Sequence, residues 1–249
     1  MARFGIEGIR YFSNARAAGI NVRDRTYVFN NCNGLKRSLE NSGHWCRFYH
    51  QNRDCWEVDM RDESQFGGID SEIVEEVYLF YISSHGSNLN GNARINYDIA
   101  EDNWISVSDT WRLGDSRGVL NWLLIWGCST IDRQRINSFW DVFQGLHMIC
   151  GAWDSMVDSF TVDEAGEDIG NNLTDGKTVA ESWIDGVSDW AVDNHPIVIA
   201  IENERSWNGG NYDWLRSTLD RDHLNGHGNT VRDILPDRKY WISYWWAEG

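Results

Sequence analysis

The chain has 249 residues, 41% hydrophobic and 24% charged, with 38 acidic against 22 basic side chains and a formal charge of −16. Such a chain is globular and long enough to bury a sizeable core, and no apolar run of 18 residues offers a membrane-spanning helix. Phosphate-binding surfaces need clustered Lys and Arg, so the acidic balance speaks against nucleic acid and anionic membranes and for a peptide or protein partner.

The first candidate element is a strand from Phe4 to Phe12. Arg3, Glu7 and Arg10 interrupt its apolar positions, which is unlike a secretory signal. Asn33-Gly34 opens a helical stretch from Leu35 to Ser42, and Trp45 to Met60 alternates as a half-buried strand or hairpin would. Val77 to Ile82 and Leu120 to Trp126 are continuous apolar runs, the pattern of strands buried on both faces. His147 to Trp153 and Pro196 to Ile201 repeat it. Ile136 to Leu146 and Thr178 to Val192 read as helices between them, and Lys239 to Trp246 as a last strand.

Buried strands alternating with helices imply an α/β fold built on an open, mostly parallel sheet. The alternation runs through the whole chain, so 1–249 reads as one domain.

Asp158 to Asp175 is acidic, rich in Gly and Asn, and reads as a solvated loop without apolar period. Calcium could be held there, but the carboxylates lack EF-hand spacing. The five cysteines, at 32, 46, 55, 128 and 150, form no CxxC pair. Reduced thiols and a cytoplasmic location are expected, with a Cys46–Cys55 bridge as the alternative. His223 and His227 are four apart, but Gly226 and Gly228 break any helix that could pair them on a metal, so no metal site is assigned. His147 reads as a core histidine.

Fifteen tryptophans raise a carbohydrate-binding module as a rival reading, yet most fall at core spacing. Trp104, Trp111, Trp153 and Trp207 fall near loops. The first three, with Ser87, are candidates to line a substrate pocket.

Parallel sheets place ligands at the carboxyl ends of their strands. One buried run ends Ile82-Ser-Ser-His85-Gly86-Ser87, and another ends Ile125-Trp-Gly127-Cys128-Ser129. Were these strands parallel neighbours, His85 and Cys128 would face one crevice. Cysteine reacts as its thiolate, and histidine can take the thiol proton and return it to a leaving amine. Gly86 admits a close carbonyl, and its N–H with that of Cys128 would bind an oxyanion.

An apolar strand ending in His-Gly, followed by a later one ending in a small residue and Cys, resembles the caspase, legumain and gingipain group of cysteine peptidases. The stretch Phe143 to Gly151 also resembles a segment of prokaryotic relatives of that group. The resemblance spans roughly Val77 to Trp153. It implies a caspase-like, three-layer α/β/α fold and a dyad of Cys128 as nucleophile and His85 as base. It further implies Gly86 as oxyanion contributor and peptide-bond hydrolysis without a metal or organic cofactor. A binding scaffold without activity and a peptide ligase using the same dyad are the alternative functions. Gly127 stands where caspases usually have Ala, and Ser129 follows the cysteine.

Overall fold

The computed structural model describes residues 1–101, 103–114, 118–160, 163–188, 193–202, 207–208, 211–212, 218–224 and 241–248. Its centre is a seven-stranded sheet. Five neighbouring strands in it are parallel: β1 (Arg3–Gly8), β2 (Trp45–Gln51), β3 (Leu79–Ser83), β7 (Trp122–Trp126) and β8 (Met148–Ala152). The order continues through β9 (Pro196–Glu202), antiparallel to β8, to the edge strand β12 (Trp241–Trp246), antiparallel to β9, so that the full order is β12-β9-β8-β7-β3-β1-β2. A small antiparallel sheet of β4 (Gly86–Leu89), β5 (Asn92–Asn96) and β6 (Ile105–Val107) lies between β3 and β7 in the chain. A two-residue pair, β10 (Trp207–Asn208) with β11 (Asn211–Tyr212), completes the strands.

Every residue of β3, β7, β8 and β9 is buried. That follows from their continuous apolar sequence, because a strand covered on both faces has no solvent side to make polar. Alternate residues feed two cores. Tyr81, Leu124, Trp126 and Cys150 join one core, in which Val28, Cys32, Leu35, Ile169, Leu173 and Trp183 come from helices. Those helices are α2 (Val28–Asn41), α4 (Ala165–Thr174) and α5 (Val179–Val187). Phe80, Ile82, Leu123, Ile125 and Ile149 join the other core, beneath α1 (Ser13–Ala17), the small sheet and several 3-10 turns. The short α3 (Glu63–Phe66) and α6 (Thr218–Arg221) complete the helices. The architecture is a three-layer α/β/α fold with unequal outer layers. Each fully buried Leu, Ile or Phe side chain contributes roughly 1.5–3 kcal/mol to it.

Three expectations are corrected. The helix expected from Leu35 begins at Val28 instead, and Gly34 lies within it. Gly34 serves the crossing with α4: a Cβ there would come 2.8 Å from the Glu167 backbone nitrogen, and one on Gly166 would strike the Asn31 carbonyl. Two glycines let the helices touch. The acidic stretch expected as a loop contains α4, whose Ala165, Ile169 and Leu173 are spaced four apart on its buried side. Its carboxylates meet protein donors: Asp158 accepts from the Thr26 and Tyr27 amides at 2.6 and 2.9 Å, and Glu167 pairs with Arg37.

The Ile136–Leu146 segment holds only a 3-10 turn, Ile136–Phe139. After one more turn, with Val142 N–H on Phe139 O at 3.0 Å, the backbone bonds to Leu113, through Leu113 N–H to Val142 O at 2.8 Å and Gln144 N–H to Leu113 O at 2.9 Å. Trp45 to Met60 holds the half-buried strand expected, over Trp45–Gln51, and no hairpin, because the chain turns at Asn52 with φ of 49°. The helix expected over Thr178–Val192 is present as α5, over Val179–Val187, with 189–192 outside the described residues. Its start is capped, since the Thr178 hydroxyl accepts the Glu181 amide at 3.1 Å while the Glu181 carboxylate accepts the Thr178 amide at 2.9 Å. All five cysteines are free. Among the described residues no helix is long and apolar enough to cross a membrane.

Candidate active site

β3 and β7 are adjacent and parallel, with Ser83 opposite Trp126. His85 lies two residues beyond Ser83, and Cys128 two beyond Trp126. Equal offsets from one register bring both residues out at the same end of neighbouring strands. The Ser84 amide donates to the Trp126 carbonyl at 3.1 Å, keeping the two chains paired past the strand ends.

Glycine at 86 and 127 lets these two segments approach. A Cβ on Gly86 would come 2.7 Å from the Cys128 carbonyl oxygen and 2.6 Å from the Thr130 methyl, and one on Gly127 would come 3.2 Å from the Gly86 Cα. Contacts under 3.0 Å cannot be met without moving backbone, so any side chain at 86 would push the histidine and cysteine segments apart.

Beyond Cys128 the chain turns at Ser129, whose φ of 49° lies in the left-handed region. The cost is offset by a hydrogen bond from the Ser129 amide to the Asp154 carbonyl at 2.6 Å. Ile131 N–H donates to Ala152 O at 2.9 Å, and the Ala152 amide donates to the Thr130 hydroxyl at 3.1 Å. The segment following β8 is thereby stitched along the cysteine turn. It ends with the Met156 amide 3.4 Å from Cys128 Sγ and the Met156 carbonyl 3.5 Å from it. The thiol is part-buried among the helix-side core residues rather than sealed in.

The His85 ring is wedged between Phe12, at 5.2 Å between centroids, and the Arg23 carbonyl, 2.8 Å from Nε2. A carbonyl only accepts, so Nε2 carries the proton and Nδ1 keeps the lone pair when the ring is neutral. Burial lowers the His85 pKa, the Arg23 carbonyl opposes that, and the Arg25 guanidinium adds to the lowering. The neutral, proton-accepting form is favoured.

Arg25 underlies the site. It is 4% exposed, and its guanidinium donates to the Ser84 carbonyl and, at 3.4 Å, to the Trp126 carbonyl. These are the last carbonyls before the histidine and cysteine turns. Its Nε lies 3.9 Å from the Asp158 carboxylate. One nitrogen, Nη1, thus fastens both strand ends, while Nε faces Asp158.

The pocket residues expected from sequence scatter. Trp111 is fully buried in the core, its indole N–H bonded to Ser106 at 2.9 Å, so it does not line an open pocket. Ser87 lies on β4 opposite Arg94, and Trp104 packs part-buried against the second core. Trp153 packs edge-on to His195 and Trp246 with the Arg133 guanidinium 4.2 Å from its ring centre. Trp153 directly follows Ala152, whose amide and carbonyl bond to Thr130 and Ile131 of the cysteine turn. His147 is the core histidine expected, its Nδ1 2.7 Å from Asp222, which also accepts from the Trp122 indole at 2.8 Å. His227 and Trp190 lie outside the described residues, as do the side chain and surroundings of Trp207.

Arg23, Arg25, Met156 and Asp158 were not legible as site residues. Arg23 and Met156 act through backbone atoms, which any residue supplies. Arg25 sits in a polar stretch before α2 with nothing local to mark it as buried.

An open α/β sheet with a histidine and a cysteine at one strand edge is the class of protein so defined. A family model described as "Domain of unknown function (DUF6345)" matches residues 6–249, and the chain belongs to that family. No curated protein matches it. Among solved structures it is similar to the Drosophila initiator caspase Dronc, with 12% identity, a TM-score of 0.40, and coverage of 70% of this chain and 63% of that one. It is also similar to caspase-1 from Spodoptera frugiperda, with 13% identity, a TM-score of 0.43 and 77% of each chain covered. The match spans less than two thirds of Dronc. Likeness at that level says nothing of activity.

Proposed function

We propose that this protein is a caspase-like cysteine peptidase acting on peptides or proteins, with Cys128 as nucleophile and His85 as general base. The observation that carries the reading is the common register of the two residues on β3 and β7, with Gly86 pressed against the Cys128 carbonyl.

Cys128 Sγ attacks the scissile carbonyl carbon as His85 Nδ1 takes the thiol proton. The oxyanion is held by the backbone N–H groups of Gly86 and Cys128. The C–N bond then breaks, His85 returns the proton to the leaving amine, and a thioester remains on Cys128. Water attacks the thioester with His85 again as base and frees the acid. An amine in place of water would give ligation instead. The Arg23 carbonyl supplies the orientation that a third side chain gives in other nucleophile–histidine pairs. Cysteine and histidine supply nucleophile and proton shuttle themselves, so the reaction calls on no cofactor. Neither nucleic acid nor membrane enters it, and a reducing cytoplasm would keep the thiol competent.

The test is alkylation at neutral pH with a near-stoichiometric iodoacetamide dose, mapped by mass spectrometry. Cys128 is expected to label fastest of the five cysteines, and His85→Ala to slow it about tenfold or more. A peptide-library screen then gives the cleavage preference. Labelling of Cys128 no faster than Cys46, the other part-buried thiol, would overturn the dyad and favour a scaffold that only binds.

A further inference from the structure

Away from the dyad, β1 and β2 bring Glu7 and His50 opposite each other in register. The turn after β2 adds Asp59, and one ligand atom from each of the three lies within 4.8 Å of the others. Glu7 and Asp59 are buried, at 0% and 1% exposure.

The cluster is unusual for what it leaves unpaired. Neither oxygen of Glu7 accepts a hydrogen bond, and His50 Nδ1 has no partner either. That nitrogen lies 3.6 Å from Glu7 Oε1. The Asp59 carboxyl, when it carries a proton, and the Tyr97 hydroxyl favour the charged form of Glu7, but two ionised carboxylates have no donor to share. The Tyr97 hydroxyl is itself buried and unpartnered. Two buried carboxyls side by side with an imidazole lack a positive charge between them. Burial pushes Glu7 up to about 7, and burial together with the Glu7 charge pushes Asp59 up to about 9. Buried charges are normally paired or bound to metal.

We propose that Glu7, His50 and Asp59 bind a first-row divalent cation of the Zn²⁺ type, with Tyr97 beside it. Two carboxylate oxygens and one imidazole nitrogen are a donor set such ions accept. Ligand atoms around a tetrahedral ion at about 2.1 Å sit roughly 3.4 Å apart. The His50–Glu7 separation of 3.6 Å is near that already, and small side-chain movements bring in Asp59. His50 is 28% exposed at its side chain and provides the way in. The ion would tie β1, β2 and the 52–60 segment together on the face opposite α2.

The test uses the full-length protein, stripped with chelator, then titrated with Zn²⁺ against a chromophoric competitor. Because Cys128 and His85 could also capture zinc, the titration is done in Cys128→Ala as well as in the unaltered chain. The proposal expects one tight equivalent in both, a zinc-dependent rise in melting temperature, and X-ray absorption showing only O and N ligands. Glu7→Gln and the more conservative, part-exposed His50→Gln should each weaken binding at least about tenfold. His50→Gln also covers the case in which the buried Glu7 variant fails to fold. Binding lost in Cys128→Ala, sulfur in the ligand shell, no stoichiometric binding, or affinity untouched by a folded Glu7→Gln or His50→Gln would each overturn it. The last two results would leave a carboxyl pair that simply holds protons.

Discussion

The two polar regions of this molecule solve burial in opposite ways. At the ends of β3 and β7 the backbone groups and the His85 ring meet protein partners: Ser84 and Trp126 carbonyls on Arg25, His85 on the Arg23 carbonyl, Ser129 on Asp154. Around Glu7 they do not, and its carboxylate oxygens and the His50 and Tyr97 polar atoms stay unpaired. The Ser83 hydroxyl and the Trp126 indole N–H have no partner even in the first region, but the backbone groups that set its turns are paired, as the proposed reaction would need, whereas the Glu7 cluster is organised for something that has yet to arrive. Pre-organisation in the first region holds reacting atoms in place without help from a ligand. In the second, the cost of leaving buried groups unpaired is what a bound cation would relieve.

Cys128→Ala would break the comparison most visibly. It should remove turnover by at least about a thousandfold while leaving the zinc equivalent bound, measured by peptide cleavage and by the competition titration. Loss of both would merge the two regions into one site. Gly86→Val comes next. Its side chain would have to enter the space of the Cys128 carbonyl and the Thr130 methyl. A cost of about 1–3 kcal/mol in denaturant unfolding is expected, with alkylation of Cys128 slowed roughly a hundredfold, as a displacement near 1 Å would produce.

Arg25→Met sharpens the comparison by making the first region resemble the second. It keeps the aliphatic volume but leaves the Ser84 carbonyl without its donor, worth roughly 1–3 kcal/mol when buried, while the Trp126 carbonyl keeps only the Ser84 amide. Lower stability and a slower Cys128 labelling rate are expected, and Arg25→Lys should recover only part of both, because one ammonium cannot hold the two carbonyls and face Asp158 as Nη1 and Nε do together.

The smallest effect is on pH. His85 has a folded pKa below its ordinary value. Between the folded value and about 6.5 the unfolded chain therefore binds more protons. The contribution of His85 to stability is complete above about 6.5 and is lost as pH falls towards the folded pKa. The acid limb of the labelling rate should have its midpoint below about 6.5, and the stability difference between the unaltered chain and His85→Gln should shrink over that interval. A midpoint above 6.5 would contradict the burial described for the ring.

The central strands were legible because being buried on both faces demands unbroken apolar sequence, as in Leu79–Ile82 and Trp122–Trp126. α4 was missed for a related reason. Its core side is built from Ala165, Gly166, Ile169, Gly170 and Leu173, and small residues make a weak apolar signal although they allow the closest helix packing. The Ile136–Leu146 stretch misled in reverse, since its apolar residues are buried by the loop around Leu113 without forming a helix.

What the sequence determined by itself was the set of buried strands, the helix α5, and the placing of His85-Gly86 and Cys128 just past strand ends, all of them consequences of local pattern and spacing. That β3 and β7 are neighbours with Ser83 opposite Trp126 was decided only by the tertiary structure. So was the pairing of His85 with the Arg23 carbonyl, the burial of Arg25 beneath both turns, and the meeting of Glu7 with His50 and Asp59. The reason is physical: register and strand order come from packing between segments far apart in the chain, and backbone carbonyls and buried charges gain their partners only when those segments meet.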